Sequence, residues 1–171
     1  MKNNNECNEH VVILKGIIDE DFVNYKVPSM FIAFPKCSFK CEKEDACFNC
    51  QNKSLIEEKN IFVAASSIIK RYINNRITSA IVFGGLEPFD SGIDLLRLIY
   101  EFREVTNDDI VIYSGYTKEE LENNPYYKCI KTEYKNIIVK FGRCKSNSQS
   151  ILDPVLNVIL ASDNQFAEKI S

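Results

Sequence analysis

An apolar run that stops at a proline, with four cysteines directly after it, constrains this chain more than any other feature. Met30-Phe31-Ile32-Ala33-Phe34 ends at Pro35, and Cys37, Cys41, Cys47 and Cys50 follow. Consecutive apolar residues bounded by a proline read as a strand buried on both faces, whose hydrogen-bond ladder the proline ends. The cysteines therefore occupy a loop at the carboxyl end of that strand. In α/β architectures that edge is where cofactors bind.

The rest of the chain alternates strand and helix patterns. Residues 11–18 read as one short strand, punctuated by Asp19-Glu20-Asp21, with a connection over 22–28. Residues 60–76 place Ile61, Phe62, Ala65, Ile68, Ile69, Tyr72 and Ile73 at helical spacing. Ser79 to Phe83 reads as a second buried strand, 91–105 as a helix and Ile110 to Tyr113 as a third strand. Thr117 with Glu120 is a capping box that starts a helix, and Asn123-Asn124-Pro125 stops it. Asn136 to Phe141 reads as a fourth strand ending at Gly142, followed by a polar loop over 143–150. Leu156 to Leu160 reads as a last strand or edge segment, and the final residues as helical. Such alternation with short connections predicts an α/β fold, either a partial (β/α) barrel or an open, mostly parallel sheet. The 171 residues suit one domain, with residues 1–10 a flexible N-terminal segment.

Charge and cysteine usage narrow the chemistry. The net charge is −3 and the basic residues are scattered, so no electrostatic footprint for nucleic acid is visible. No apolar stretch approaches the length of a membrane span, and the polar start lacks the apolar core of a signal peptide. A cytoplasmic protein is expected. In a reducing compartment, clustered cysteines point to metal ligands rather than disulfides. His10 is the only histidine, so mixed cysteine/histidine zinc sites and histidine-based catalytic pairs have almost nothing to draw on. Thiolates suit iron–sulfur clusters and zinc alike, and the spacing leaves both open. Cys129 and Cys144 lie far from the loop and read as packing or free thiols.

Two further strand ends carry unusual residues: Gly84-Gly85-Leu86-Glu87-Pro88 and Tyr113-Ser114-Gly115-Tyr116. In a parallel sheet they share a rim with the cysteine loop. A glycine pair lets the backbone approach a ligand, exposed N–H groups can bind a carboxylate, and Glu87 can accept a hydrogen bond from an ammonium group. The alternative reading is a tight turn with a solvated glutamate.

Taken together, these residues resemble the radical S-adenosylmethionine (radical SAM) family. That family carries a C-x3-C-x2-C loop after its first strand and Gly-Gly-Glu-Pro after the next. Cys37-Ser-Phe-Lys-Cys41 matches the first half of the cysteine motif, and Gly84-Gly85-Leu86-Glu87-Pro88 matches the second motif with Leu86 inserted. The chain is most similar to the activating proteins of anaerobic ribonucleotide reductase. The matches are Cys50-Gln51-Asn52 at their Cys-Tyr-Asn, Tyr113-Ser114-Gly115-Tyr116-Thr117 at their Tyr-Thr-Gly-Tyr-Thr, and Ser162-Asp163-Asn164-Gln165 at their Ser-Ser-Asn-Gln. They run in the same order from about Met30 to Gln165. The gap between Cys41 and Cys50 is longer than the family's, and the aspartate the family usually carries in the fourth-strand region has no obvious counterpart in Lys140-Phe141-Gly142.

The resemblance implies a radical SAM type fold and a 4Fe-4S cluster held by three cysteines. Aligning Asn52 makes those Cys37, Cys41 and Cys50, with Cys47 a bystander; the competing register pairs Cys47 and Cys50 with Cys37 or Cys41. It further implies S-adenosylmethionine as a second cofactor. Gly84, Gly85 and Glu87 would hold its methionyl end, with Tyr113, Ser114 and Gly115 bordering it and no catalytic residue beyond the cluster ligands. An electron from flavodoxin or ferredoxin would drive cleavage to a 5′-deoxyadenosyl radical, and the hydrogen donor would be a glycine in the catalytic subunit of anaerobic ribonucleotide reductase. The alternatives are a radical SAM enzyme acting on another peptide or metabolite, and a zinc-binding cysteine-rich interaction module.

Overall fold

The computed structural model describes residues 9–44 and 50–171. The expected flexible segment, apart from Glu9 and His10, lies outside the described residues, as do Cys7 and Cys47. In chain order the elements are β1 (Val11–Leu14), β2 (Gly16–Asp21), β3 (Ser29–Phe34), α1 (Lys40–Glu44), α2 (Lys53–Glu57), β4 (Ile61–Ala64), α3 (Ala65–Asn74), β5 (Ala80–Gly85), α4 (Gly92–Arg103), β6 (Asp109–Tyr113), α5 (Lys118–Leu121), α6 (Pro125–Glu133), β7 (Ile137–Phe141), β8 (Ile151–Asp153), β9 (Val158–Leu160) and β10 (Phe166–Lys169). A 3-10 turn, Pro88–Ser91, leads into α4.

The main sheet has the order β10-β7-β6-β5-β3-β2. Its four central strands are parallel, and β2 and β10 pair antiparallel at the two edges. The result is an open, mixed α/β fold with a mostly parallel sheet. The central strands are buried on both faces, which explains their near-continuous apolar sequences.

Alternation along these strands sorts their side chains. Ile32, Ile81, Phe83, Ile112, Val139 and Phe141 face one side, where they pack with Ile68 of α3, Leu98 and Phe102 of α4, and Tyr127 and Ile130 of α6. Ala80, Val82, Val111 and Ile138 face the other, where Tyr25 and the β8–β9 segment, through Leu156 and Leu160, cover them. Among the described residues, no helix contributes to this second cluster. Towards the carboxyl ends of the strands, the thinly covered face opens into a cavity.

Several local expectations change. The apolar run 11–18 is two strands, because its halves have different partners: Leu14 lies opposite Ile61, and Gly16 opposite Ala33. Asp19 to Asp21 belong to β2 rather than punctuating it. The helix expected over 60–76 begins only at Ala65, since Ile61–Ala64 is the strand that pairs with β1. Asn124 and Pro125 stop one helix and start another: the Asn124 side chain accepts from the N–H groups of Tyr126 (2.9 Å) and Tyr127 (3.2 Å), and Pro125 sits in the first turn of α6. The Leu156–Leu160 segment supplies β9 of a separate hairpin, and the final residues form β10, not a helix. The Thr117/Glu120 capping box is present as expected. No helix among the described residues is long and apolar enough to cross a membrane.

Candidate metal centre

Parallel strands deliver their following loops to one edge, and a cavity of about 540 Å3 lies there. Its walls include Cys37, Cys41 and Cys50, Gly84, Gly85 and Glu87, and Tyr113, Ser114 and Gly115. The structure thus brings these nine residues to one space, while Cys47 lies outside the described residues. Lys140, Arg143 and Cys144 join them from the end of β7; sequence reasoning had assigned the first two no role and taken Cys144 as a packing or free thiol. Alternation offered a signal for Lys140. It lies two residues from Ile138, so it shares that residue's face, the one away from the helices.

The cysteine loop is tied down on several sides. The Ser38 N–H donates to Asp90 Oδ2 (2.6 Å), and the Phe39 N–H donates to Cys37 Sγ (3.3 Å). Phe39 adopts a left-handed φ of 53°, an uncommon conformation for a bulky residue, just before α1 carries Cys41. Asn52, the residue that aligns Cys50 with the activating-protein motif, donates from Nδ2 to the Gly85 carbonyl (2.6 Å) and so fastens that segment to the end of β5. Burial pushes the Cys37 thiol up to about 11, reinforced by the charges of Glu87 and Asp90. Burial also raises Cys41, with the neighbouring Cys50 adding to the effect. The thiols of Cys37 and Cys41 are therefore protonated at neutral pH, and a metal bound there would have to displace those protons.

Among the described residues, no three histidine, cysteine, aspartate or glutamate side chains converge on a single metal-ion position. Three half-buried thiols instead surround a space. Thiolates are the ligands an iron–sulfur cluster takes, and Cys37, Cys41 and Cys50 line one cavity, so the donor chemistry fits such a cluster.

Gly85 is required by the protein itself, and Gly84 leaves room for the Phe31 ring. A Cβ on Gly85 would lie 2.8 Å from both Ala33 Cα and Phe34 N, and its φ is +83°. A Cβ on Gly84 would lie 2.8 Å from the Phe31 ring. Both glycines are buried. The N–H groups that follow them are engaged: Leu86 donates to Phe34 O (3.1 Å) and Glu87 to Lys36 O (2.7 Å). The inserted Leu86 thus stays in register with the residues leading into the cysteine loop.

Glu87 is buried, not solvated. Its carboxylate accepts from Gly115 N (2.8 Å), Ser114 Oγ (3.0 Å) and Phe89 N (3.2 Å). Burial outweighs these donors and pushes its carboxyl up to about 7. Lys140 is buried on the same cavity, donating to Gly142 O (2.7 Å) and Ser114 O (3.3 Å), and burial brings its ammonium down to about 8. The Tyr113 hydroxyl donates to Asn24 O (2.6 Å), and both residues line the cavity.

The Ser162-Asp163-Asn164-Gln165 segment shapes the β7 end. Asn164 Nδ2 donates to Arg143 O (2.9 Å) and Gln165 Nε2 to Gly142 O (3.1 Å). Arg143 then pairs with Glu120 (2.7 Å), with its Nε 3.2 Å from Glu44 of α1, while Lys40 reaches Glu120 from the cysteine side (2.9 Å). Glu120 is held at about 2, chiefly by Arg143.

Residues 28–154 match the family model for a 4Fe-4S single cluster domain. A search of curated proteins found no match. The matched region spans most of the chain, including Cys37, Cys41, Cys50, Glu87, Ser114, Gly115 and Lys140 but not Ser162–Gln165, and it favours iron–sulfur over zinc. The chain belongs to the 4Fe-4S single cluster domain family.

Proposed function

We propose that this protein is a radical SAM activating enzyme that reductively cleaves S-adenosylmethionine and generates a glycyl radical on the catalytic subunit of anaerobic ribonucleotide reductase. The observation that carries this reading is the meeting of three thiols, a buried carboxylate and the Ser114-Gly115 turn around one cavity. Cys37, Cys41 and Cys50 would hold the cluster. When bound, a 4Fe-4S cluster with three protein ligands supplies one electron and an open iron.

The chain's own residues would do the positioning. Glu87, already held by three donors, has a carboxylate that an incoming ammonium group would stabilise in its charged form. Ligand binding below pH 7 would then expel the proton that burial keeps on it. Gly84 and Gly85 keep the β5 end narrow, so Glu87 can approach the cysteine loop. Tyr113 and the Ser114-Gly115 turn line the same cavity and would border the bound ligand. Flavodoxin or ferredoxin is the proposed electron donor, and a cytoplasmic location is proposed with it.

The test is anaerobic reconstitution with iron and sulfide, followed by electron paramagnetic resonance of the reduced protein with and without S-adenosylmethionine. The expected result is a 4Fe-4S signal that changes on addition, with formation of 5′-deoxyadenosine, and loss of the cluster in C37A, C41A and C50A. Incubation with an anaerobic ribonucleotide reductase should then give a glycyl radical signal. A protein that takes up stoichiometric zinc and no cluster would sink the reading.

A further inference from the structure

Asp90 lies outside every motif that marks the cavity, yet it is one of the residues that fasten the cysteine loop to the rest of the rim. Its two carboxylate oxygens are used separately. Oδ2 accepts the Ser38 N–H (2.6 Å), the peptide immediately after Cys37. Oδ1 accepts the Tyr116 hydroxyl (2.6 Å), from the turn after β6. Ser38 Oγ and the Tyr116 hydroxyl oxygen are themselves 3.3 Å apart, so the three residues close a ring. Both donors to Asp90 are neutral groups, a peptide N–H and a phenol hydroxyl, so neither is a counter-charge to its carboxylate.

The backbone around Asp90 fixes its place. It sits in the 3-10 turn capped by Glu87, and its own N–H donates to Glu87 O (3.1 Å). One short turn therefore presents Glu87 to Ser114 and Gly115 and Asp90 to Ser38 and Tyr116. The loop needs such a hold, because Phe39 is left-handed between Cys37 and Cys41. A left-handed bulky residue costs roughly 1–2 kcal/mol and persists only where its surroundings impose it.

We infer that Asp90 is a positioning residue for the iron–sulfur centre: its carboxylate holds Ser38 and Tyr116 so that the Cys37–Cys41 loop keeps its ligand-binding shape, and its charge tunes the potential of the bound cluster. The inference rests on the reading that Cys37 and Cys41 are cluster ligands. Hydrogen bonds and charges around a cluster set its potential, and the groups that orient ligands commonly matter nearly as much as the ligands.

Two variants separate the roles. In D90N the amide oxygen can still accept the Ser38 N–H. Its amino group then faces the Tyr116 oxygen, whose proton turns to Ser38 Oγ, so the loop keeps its shape and loses only the charge. In D90A both donors lose their acceptor. After anaerobic reconstitution of the full chain, D90A should lose iron to a chelator about tenfold faster than wild type or more, in the range usual for such orienting groups. D90N should retain iron at close to the wild-type rate while its midpoint potential, from a spectroscopic redox titration, moves to a more positive value. A D90A cluster as durable as wild type, or a D90N potential that does not move, would overturn the inference. Wild-type protein that assembles no cluster, or a C37A or C41A variant that retains one, would overturn the ligand reading together with the inference; an intact wild-type cluster indifferent to position 90 would overturn the inference alone.

Discussion

Glu87 should make the stability of the cluster-free protein fall with rising pH through the neutral range. Its carboxyl is raised from 4.5 to about 7, above all by burial. An acid whose folded value is raised binds more protons folded than unfolded between those two limits, so stability drops as pH climbs through that window. At 1.36 kcal/mol for each pH unit of difference, the loss between pH 5 and pH 8 is roughly 2 to 3 kcal/mol. For a chain of this length that is a fall in Tm of roughly 5–10 °C. Lys140 works in the opposite sense but higher: lowered from 10.5 to about 8, it returns stability mainly as pH rises above 8. Thermal unfolding followed by circular dichroism at a series of pH values measures the slope. Glu87→Gln supplies the control. The glutamine places an amino group against the Gly115 N–H, so the variant loses stability at every pH by about 1–3 kcal/mol. Its pH slope between 5 and 8 should nevertheless disappear. A flat wild-type profile, or a slope that survives in E87Q, would refute the reasoning.

Three other outcomes are expected. Gly85→Ala combines left-handed strain of roughly 1–2 kcal/mol with a clash against β3 backbone of about 1–3 kcal/mol, lowering Tm by roughly 5–20 °C. Gly16→Ala, whose Cβ meets nothing within 4 Å, should stay within about 0.5 kcal/mol of wild type, and equal melting of the two would contradict the packing argument. Glu120, held at about 2 chiefly by Arg143, contributes stability that is present above pH 4.5 and lost as pH falls toward 2; Glu120→Gln should lower the profile between pH 5 and 8 without changing its slope there, and make acid unfolding shallower below pH 4.5. Finally, if an ammonium group docks on Glu87, the affinity of the reconstituted protein for S-adenosylmethionine, read by titration calorimetry, should rise from pH 6 to pH 7.5, and a pH-independent Kd would remove Glu87 from that role.

Much of the rim was legible because each strand end carries its own local signal. An apolar run followed by proline, a glycine pair, and a serine-glycine turn each mark where a buried strand stops, and parallel connectivity places those stops on one edge. The cysteine loop was visible for the same reason: cysteine clustering is a property of the sequence itself. The helix cap at Thr117 depends on residues three apart and was readable from them alone.

Partner choice was not local, and there the reading failed. Apolar spacing gives the period of an element but not the strand it pairs with. Residues 11–18 therefore looked like one strand until Lys15 divided a segment pairing with β4 from one pairing with β3. Phe166–Lys169 has no strong strand pattern and becomes β10 because β7 offers it an edge. The cavity's charged residues were hidden in the same way. Lys140, Arg143 and Asp90 act on Ser114, Glu120 and Ser38, each more than twenty positions away. The sequence by itself determined which loops end the strands and which residue types they carry. Only the tertiary structure decided which side chains from different loops meet, because burial and hydrogen bonding across a sheet edge depend on distances that no spacing along the chain encodes.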